Sequence, residues 1–304
     1  MTGDIYSIAG KVALITGGSR GIGQSIAELF AERGAEVIIC SRKQQDLDVV
    51  AAGIRAKGGK AHAIQAHVGK LDDIERLVGL LDERGLAVDV LVNNAGISPP
   101  NAGTFCDTTP ALWDKIMEVN VRGPFFLTAA LGRKMAERGS GAIVNISTTS
   151  ALMAQPEIGA YCVSKAALNT MTRCFARELG PRGVRVNAIS CGVIKTAMGD
   201  HTMNDPQRYA DMMKVNPLKR VGYPEEVAAA ALFLASDAAA DVTAQIFAVR
   251  GNEIFLMSQP RPVRGMHTSE GWTPETIAER VLPAMKPNFF PLESSNIVFS
   301  WDPV

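Results

Sequence analysis

Short apolar runs alternate with amphipathic stretches along most of the chain. The first run, KVALIT at 11–16, leads directly into a glycine-rich segment, and QSIAELFAERG follows it. This second stretch places Ile26, Leu29 and Phe30 on one face and ends at Gly34. Apolar spacings of three and four with a terminal glycine are typical of a helix. The chain therefore begins with a strand, a turn and a helix.

The same alternation continues to residue 249. Further strands are predicted at 35–41, 60–68, 88–96, 141–147, 184–190 and 245–249, with helices at 44–58, 71–85, 110–138, 159–180 and 224–236. Apolar strands separated by helices indicate a parallel sheet that is covered on both faces. We therefore expect an α/β protein with a doubly wound parallel sheet (Rossmann fold) in one domain, residues 1–256. Ligands of such sheets bind beyond the carboxyl ends of the strands.

Residues 257–304 have a different composition. They hold seven of the sixteen prolines and one helical segment, TPETIAERVL, with Thr273 as N-cap and Pro274 at the first helical position. The segment also carries five aromatic residues: Trp272, Phe289, Phe290, Phe299 and Trp301. These are too apolar for a solvated linker. We expect an arm that packs against the domain or a neighbouring subunit, with a solvated tail as the alternative.

Composition and charge narrow the function. Of the 304 residues, 47% are hydrophobic, 31 are acidic and 31 basic, and the pI is near 6.9. This balance is unlike that of a protein dedicated to nucleic acid or an anionic membrane. The five cysteines show no Cys-x-x-Cys spacing, and the longest apolar run, VAAAALFLA, is too short to span a bilayer. We expect a reduced cytoplasmic protein with a small-molecule partner, no metal, no nucleic acid and no membrane.

The segment TGGSRGIG at 16–23 stands between the first strand and the first helix. Glycines in this position permit a tight turn and a close approach of the backbone to a dinucleotide pyrophosphate. The second strand ends at Ser41, followed by Arg42 and Lys43, where a site specific for NAD carries an acidic residue. Arg20 can converge on the same place. The pattern favours NADPH (NADP+) as cofactor, with a solvated basic turn as the alternative.

Tyr161 and Lys165 end the stretch NISTTSALMAQPEIGAYCVSK and are four residues apart. They therefore lie on one face of a helix. An ammonium this close to a phenol favours the tyrosinate, so we expect a lowered Tyr161 pKa and a role in proton transfer.

Four motifs together carry a resemblance to a known family. They are TGGSRGIG, NNAG at 93–96, NV at 120–121 and YCVSK at 161–165. Over residues 8–250 the chain resembles the short-chain dehydrogenase/reductase (SDR) family, and SRK with HVGK at 67–70 is similar to its NADPH-dependent carbonyl reductases. The resemblance implies that Tyr161 protonates a carbonyl as hydride arrives from nicotinamide, while Lys165 holds the ribose. It also implies that Asn120 interrupts a helix and holds a water.

The third catalytic hydroxyl has two candidates. The family places a serine 13 residues before its tyrosine, and this chain has Thr148 there with Ser147 one step earlier. Side chains alternate between the faces of a strand, so the two should not both enter the site unless the strand has ended. We expect Thr148 to act, with Ser147 as the rival.

The resemblance also assigns the cofactor contacts. In this chain they fall on Gly17, Ser19, Arg20, Gly21, Ile22, Gly23, Ser41, Arg42, Lys43, His67, Val68, Asn94, Ala95, Gly96, Gly192, Ile194 and Thr196, besides Tyr161 and Lys165. Three departures from the family pattern stand out. His67 replaces a frequent aspartate, Cys191 replaces the proline before Gly192, and VRGNEIF replaces a glycine-rich close after the last strand.

The substrate is indicated only as a class. Between Ile194 and Pro224, where the family carries a mobile lid, stand Met198, Met203, Met212 and Met213. Methionines suit a small hydrophobic carbonyl compound but equally suit core packing. A 3-oxoacyl-thioester reductase is the alternative, which could use the cations Lys195, Lys214, Lys219 and Arg220. A non-catalytic NADP-binding regulatory or scaffold protein is the alternative of another class. The family implies a homo-tetramer or dimer.

Overall fold

The computed structural model describes residues 5–98, 104–153, 156–214, 216 and 218–290. In these residues a sheet of eight strands has the order β3-β2-β1-β4-β5-β6-β7-β8. The strands are β1 (Val12–Thr16), β2 (Glu36–Ser41), β3 (Lys60–Gln65), β4 (Val90–Asn93), β5 (Gly141–Thr148), β6 (Val184–Cys191), β7 (Ile246–Arg250) and β8 (Glu253–Leu256). The first seven are parallel and β8 is antiparallel to β7. The predicted doubly wound parallel sheet is confirmed.

Helices cover both faces of this sheet. They are α1 (Gly21–Glu32), α2 (Gln44–Ala56), α3 (Leu71–Glu83), α4 (Pro110–Met117), α5 (Gly123–Arg138), α6 (Gly159–Leu179), α7 (Asp200–Met203), α8 (Pro206–Lys214) and α9 (Pro224–Ala235). Consecutive residues of one strand enter opposite apolar cores: Ile15 packs with Phe30 of α1, and Leu14 packs with Leu77 of α3. Burial of each such side chain contributes about 1.5–3 kcal/mol, which fixes the strands between the two helix layers.

The order of the strands places the glycine-rich turn at the centre of the sheet. β1 pairs with β2 on one side and with β4 on the other, so the chain changes direction between β1 and β4. A crevice opens at such a point beyond the carboxyl ends of the two strands. The segments TGGSRGIG and NNAG both begin there.

One predicted helix is interrupted. A π-helical turn at Glu118–Arg122 separates α4 from α5, where the hydrophobic pattern predicts one helix over 110–138. Gly123 begins α5 against the loop after β3, and a Cβ added there would lie 2.1 Å from the Val68 carbonyl oxygen. The extra residue in the turn directs the Asn120 side chain into the protein, where it is 0% exposed.

The segment after β6 and the C-terminal region differ most from the predicted elements. The short helices α7 and α8 and the strand β8 are not predicted by the hydrophobic pattern. The arm forms α10 (Pro274–Thr276), a π-helical turn (Ile277–Val281) and α11 (Leu282–Met285). Thr273 caps it as predicted, since its hydroxyl accepts a hydrogen bond from the Thr276 N–H at 3.2 Å.

None of the residues 257–290 is buried on its own chain, and Phe290 is 82% exposed. The predicted contacts of Phe299 and Trp301 lie outside the described residues. Among the helices that the structure describes, none combines the length and the apolar character needed to cross a membrane.

Candidate active site

The glycine-rich turn after β1 requires its glycines. Gly17 and Gly21 have positive φ angles of 68° and 54°, which L side chains rarely adopt. A Cβ on Gly23 would lie 2.4 Å from the Gly17 carbonyl oxygen. α1 then begins at Gly21, and Arg20 at its N-cap makes no side-chain cap hydrogen bond. The N–H groups of the first turn are thus not capped by that side chain and fit a phosphate. Ser19 and Ile22 lie in the same turn.

The segment NNAG crosses the middle of the site. The Thr16 hydroxyl accepts hydrogen bonds from the N–H groups of Asn94 and Ala95, both at 3.0 Å, which ties the end of β4 to the end of β1. A Cβ on Gly96 would lie 3.2 Å from the Lys165 Nζ, so the backbone passes close to that ammonium. Asn93 points beneath and donates to the Thr128 hydroxyl at 2.9 Å.

The basic residues predicted to select the cofactor lie at the end of β2. Arg42 and Lys43 directly follow Ser41 and are exposed, as is Arg20 in the glycine-rich turn. Neighbouring His67 is tied into its own loop, because its Nδ1 accepts from the Gly69 N–H at 3.1 Å. Val68 is buried at 7% exposure. The positions 41–43 thus offer two cations and a hydroxyl without a carboxylate.

The turn after β6 approaches the glycine-rich turn from the other side. Gly192 donates its N–H to the Val249 carbonyl at 3.0 Å, which holds the turn to β7. Ile194 is buried and forms an isolated bridge with Gly222. A Cβ on Gly21 would lie 3.1 Å from the Thr196 Cγ2. The predicted contacts Gly192, Ile194 and Thr196 therefore share one segment that ends beside the glycine-rich turn.

The predicted catalytic groups meet at the carboxyl end of β5. Tyr161 and Lys165 lie one turn apart on α6, and the Thr148 side chain at the end of β5 interacts with the Tyr161 phenol. The Lys165 ammonium lies 6.0 Å from the centroid of the Tyr161 ring and donates to the Ile146 carbonyl at 2.7 Å. Phenol, hydroxyl and ammonium thus share one edge of the sheet with the glycine-rich turn.

Ser147 and Thr148 occupy different environments. The Ser147 hydroxyl is buried and donates to the Lys165 carbonyl at 3.4 Å, on the side of α6 that faces the sheet. The Thr148 hydroxyl lies at the end of the strand, where it also accepts from the Ser150 N–H at 3.3 Å. The alternation along β5 separates the two, and of the two it is the Thr148 side chain that interacts with the Tyr161 phenol.

Asn120 links the loop after β4 to α6. Its amide exchanges two hydrogen bonds with the backbone of Ile97, both at 2.9 Å, and donates to the Ser164 hydroxyl at 3.0 Å. Ser164 in turn donates to the Tyr161 carbonyl at 2.7 Å. Ser164 is not among the site residues predicted from the sequence, although it lies inside the motif YCVSK.

Comparison with known proteins shows the family to which this chain belongs. The family profile described as enoyl-(acyl carrier protein) reductase matches residues 17–251. Dehydrogenase/reductase SDR family member 4 of Bos taurus is 39% identical over 244 residues, which are 80% of this chain and 87% of that protein. This chain belongs to the short-chain dehydrogenase/reductase family.

Two further SDR relatives show the range of the family. An NAD-dependent glycerol dehydrogenase of Listeria innocua is 39% identical over 246 residues, covering 81% of this chain and 94% of that one. A crystal structure of gluconate 5-dehydrogenase from Burkholderia cenocepacia, in complex with NADP and tartrate, has a TM-score of 0.78 and 31% identity and covers 82% of this chain and 96% of that one. The chain is therefore an SDR oxidoreductase that acts on CH–OH groups and uses NAD or NADP.

The pKa of the SDR tyrosine departs from the sequence-based expectation. Burial raises the pKa of Tyr161 well above its ordinary value, the nearby Cys191 and Cys162 thiols act in the same direction, and the Thr148 hydrogen bond opposes them. Burial also lowers the pKa of Lys165 to about 8. The predicted lowering of the Tyr161 pKa is wrong for this structure, because desolvation of the phenol outweighs an ammonium that is itself buried and bound to a carbonyl.

Phe105 lies near the SDR tyrosine, Tyr161, and is not among the site residues predicted from the sequence. A Cβ on Gly159 would lie 2.2 Å from the Phe105 Cδ2, so the ring covers the start of α6 two residues before Tyr161. Phe105 is 51% exposed. One feature of the sequence indicates this contact: Gly159 precedes Ala160 and Tyr161, and a glycine leaves room for a neighbouring ring.

The cations considered for a thioester substrate are mostly paired within the chain. Lys214 donates to Asp211 at 2.6 Å, and Lys219 donates to the Met213 carbonyl at 2.9 Å. Arg220 binds both carboxylate oxygens of Glu226. Lys195 lies beside the Tyr223 ring, 5.8 Å from its centroid. Three of the four are thus committed to neighbours of their own chain.

Proposed function

We propose that this SDR enzyme uses NADPH to reduce a ketone or aldehyde carbonyl, and that the reaction is reversible as an alcohol dehydrogenation. The observation that carries the proposal is that the Thr148 side chain interacts with the Tyr161 phenol, one helical turn from the buried Lys165. In the proposal, this pair supplies a proton donor and a second hydroxyl at one point beyond the sheet. A carbonyl oxygen between these two groups is polarised and protonated together.

Tyr161 is the general acid in the proposed mechanism. Bound NADPH supplies the hydride. The raised pKa of Tyr161 keeps the phenol protonated at neutral pH, which is the form that reduction requires. Thr148 donates its hydroxyl hydrogen to the carbonyl oxygen and holds it within reach of Tyr161. Ser147 is bonded to the Lys165 carbonyl and supports the helix instead.

Lys165 and Asn120 support the proton transfer. With a pKa of about 8, the Lys165 ammonium is mostly charged at neutral pH and stabilises the tyrosinate that forms when Tyr161 gives up its proton. Asn120 fixes the start of α6 through Ser164 and fixes the loop after β4 through Ile97. The side chain thereby holds the acid and the lysine in register with the glycine-rich turn.

The preference for NADPH rests on the end of β2. Arg42 and Lys43 are exposed next to Ser41, and a guanidinium there can bind a ribose 2′-phosphate. The residues proposed to hold the rest of the cofactor also fit it. The glycine-rich turn leaves space for the backbone to approach the pyrophosphate, and the N-terminus of α1 lacks a side-chain cap. We expect Arg42→Asp to raise the KM for NADPH by about tenfold or more while the KM for NADH falls or stays unchanged. Lys60→Asp, on the exposed start of β3, serves as the matched charge control.

An apolar carbonyl compound is the proposed substrate class. Phe105 covers the start of α6, and Met198 on the segment after β6 is 48% exposed. Lys214, Lys219 and Arg220 bind groups of their own chain. Of the four cations considered for a thioester substrate, this leaves Lys195 to bind it. A panel of diketones, aromatic ketones and 3-oxoacyl thioesters distinguishes the two classes.

The deciding experiment measures oxidation of NADPH and NADH with that panel. We expect turnover with NADPH in wild type, loss of at least about 10²-fold in Tyr161→Phe, and full activity in the control Tyr6→Phe. Activity that survives in Tyr161→Phe contradicts the mechanism. Bound NADPH without turnover of any carbonyl supports the non-catalytic alternative.

The arm is proposed to pack on a neighbouring subunit of a homo-tetramer or dimer. Residues 257–290 are not buried on their own chain although Trp272, Phe289 and Phe290 are apolar. The matched region of the family ends at residue 251, so the arm is not part of the shared domain. A chain truncated after residue 256 tests this: we expect a smaller assembly by light scattering with turnover per subunit retained. An unchanged assembly contradicts the proposal.

A further inference from the structure

The segment between β6 and α9 is held at its C-terminal end. We call the described residues between β6 and α9, 195–214, 216 and 218–223, the lid, and residues 218–222 the lid anchor. Gly222 of the anchor donates its N–H to the Val193 carbonyl at 3.0 Å and accepts from the Lys195 N–H at 2.8 Å. The lid therefore returns to the strand end from which it began, and both of its ends are fixed at one place.

The hairpin between β7 and β8 contacts the lid anchor. Gly251 turns the hairpin with a positive φ of 62°, and a Cβ there would lie 2.9 Å from the Leu218 Cδ1. Next to it, the Asn252 Oδ1 accepts a hydrogen bond from the Arg220 Nη2 at 3.1 Å. Arg220 also binds Glu226 in the first turn of α9. The hairpin thus completes a set of acceptors around one guanidinium.

Arg250 connects the same hairpin to the turn after β6. A Cβ on Gly192 would lie 2.8 Å from the Arg250 Cγ, so the aliphatic part of Arg250 lies flat against that glycine. The Arg250 Nε donates to Glu253 at 2.9 Å, and the two side chains are only 12% and 13% exposed. An ion pair this sheltered fixes the arginine over Gly192. The hairpin therefore contacts the segment of the proposed nicotinamide side as well as the lid anchor.

The hairpin extends past the region that the family model matches. The family match ends at residue 251, and the gluconate 5-dehydrogenase structure is covered over 96% of its length by 82% of this chain. Asn252 and Glu253 lie just beyond the match. The turn residue Asn252 thus binds Arg220 of the lid anchor, and Glu253, the first residue of β8, binds the Arg250 that lies over Gly192.

We propose that the β7–β8 hairpin braces the substrate lid and that Arg250 and Asn252 are its positioning residues. Arg250 acts through Gly192, and Asn252 acts through Arg220. A lid that is ordered before the substrate arrives loses less conformational freedom on binding, which lowers the KM. The role in KM rests on the proposed carbonyl reduction, whereas the brace itself is a property of the fold.

Two variants and two controls test the brace. In Asn252→Ala and Arg250→Ala we expect the KM for the carbonyl to rise about threefold to tenfold with kcat changed less than twofold. Hydrogen exchange at the amides of Gly222 and Lys195 should become faster in both. Arg250→Met keeps the stem on Gly192 and should show a smaller effect. Ile254→Ala, at a β8 position that is 65% exposed, should match wild type.

The two readouts separate the brace from the proposed function. Urea unfolding first shows that each variant is folded. Unchanged exchange in Asn252→Ala and Arg250→Ala overturns the brace, and faster exchange with unchanged KM overturns the positioning role. If wild type turns over no carbonyl, the proposed function fails, and the exchange rates alone then support or overturn the brace.

Discussion

The catalytic floor and the lid are built in contrasting ways. The floor consists of β5 and α6, where Lys165 is 4% exposed and Ser147 is 3% exposed. Each of these two polar side chains donates a hydrogen bond to a backbone carbonyl. The lid carries exposed side chains such as Met198 at 48% and Tyr223 at 40%. It is held by loop hydrogen bonds and surface ion pairs.

This difference separates two kinds of energetic consequence. A buried charge on the floor is costly to the fold and useful to the reaction, so substitutions there change stability and chemistry together. Exposed groups of the lid contribute little to stability. Substitutions there should change the KM with little effect on unfolding.

Lys165→Met should give the largest effect and should move the two properties in opposite directions. We expect turnover to fall by at least about 10²-fold, since the tyrosinate loses its counter-charge. The fold should gain about 1–2 kcal/mol at pH 7. Burial lowers the Lys165 pKa from 10.5 to about 8, a penalty of about 3 kcal/mol, while the variant leaves the Ile146 carbonyl without its donor. Urea unfolding measures the gain.

The pH dependence of this gain has a definite sign. Between pH 8 and 10.5 the native state binds fewer protons at Lys165 than the unfolded state does, so wild-type stability rises with pH in that window. Below pH 8 the penalty is fully present. The advantage of Lys165→Met should therefore shrink above about pH 8 and vanish by about pH 9.5. A constant difference between the proteins contradicts the assigned pKa.

Phe105→Ala should have an intermediate effect at the border of the two regions. The ring lies against Gly159 beside Tyr161, and half of it is exposed. We expect the KM for aromatic ketones to rise about tenfold, because an apolar contact next to the reacting carbonyl is lost. The free energy of unfolding should change by less than about 1 kcal/mol.

Steady-state kinetics with a small aliphatic and an aromatic ketone check the Phe105 prediction. Phe126→Ala is the control, since Phe126 is similarly exposed but contacts Phe125 of α5 edge-to-face. An equal change in the KM for both substrates argues against a wall of the substrate pocket at Phe105.

The sequence predicted the parts of the fold that repeat a strong period. Seven strands and the long helices carry buried apolar residues at regular spacing, and these positions are buried in the structure. The short elements were missed because four to nine residues hold too few periods, as in α7, α8 and β8. For β8 a turn signal was present, since Gly251-Asn252 is a two-residue hairpin loop between apolar runs.

For the candidate site, the sequence likewise predicted the positions of residues better than their chemical properties. The positions of Tyr161, Lys165 and Asn120 follow from motifs, because the motif fixes the helix face and the helix fixes the site. The sign of the Tyr161 pKa shift did not follow from the motif. Burial of the phenol depends on atoms from distant segments, and the Cys191 thiol, also distant in sequence, raises the pKa further by its charge interaction. The role of Arg250 likewise needed the structure, since Gly192 and Arg250 are far apart in sequence.

Glu157→Gln should give the smallest effect and tests an ion pair that joins the lid to the start of α6. The Glu157 carboxylate, just before α6, binds the Arg208 guanidinium of α8 at 2.8 Å, and the side chains are 65% and 40% exposed. We expect the KM for the carbonyl to rise about twofold at low salt, with unfolding unchanged, because exposed pairs contribute little. The effect should disappear in about 0.5 M salt, which screens exposed charges. Glu32→Gln breaks the similarly exposed pair with Lys57 outside the site and should leave the KM unchanged at every salt concentration. A KM increase that persists in high salt would mean that Glu157 acts by shape or hydrogen bonding, and that floor and lid are joined more firmly than their exposure implies.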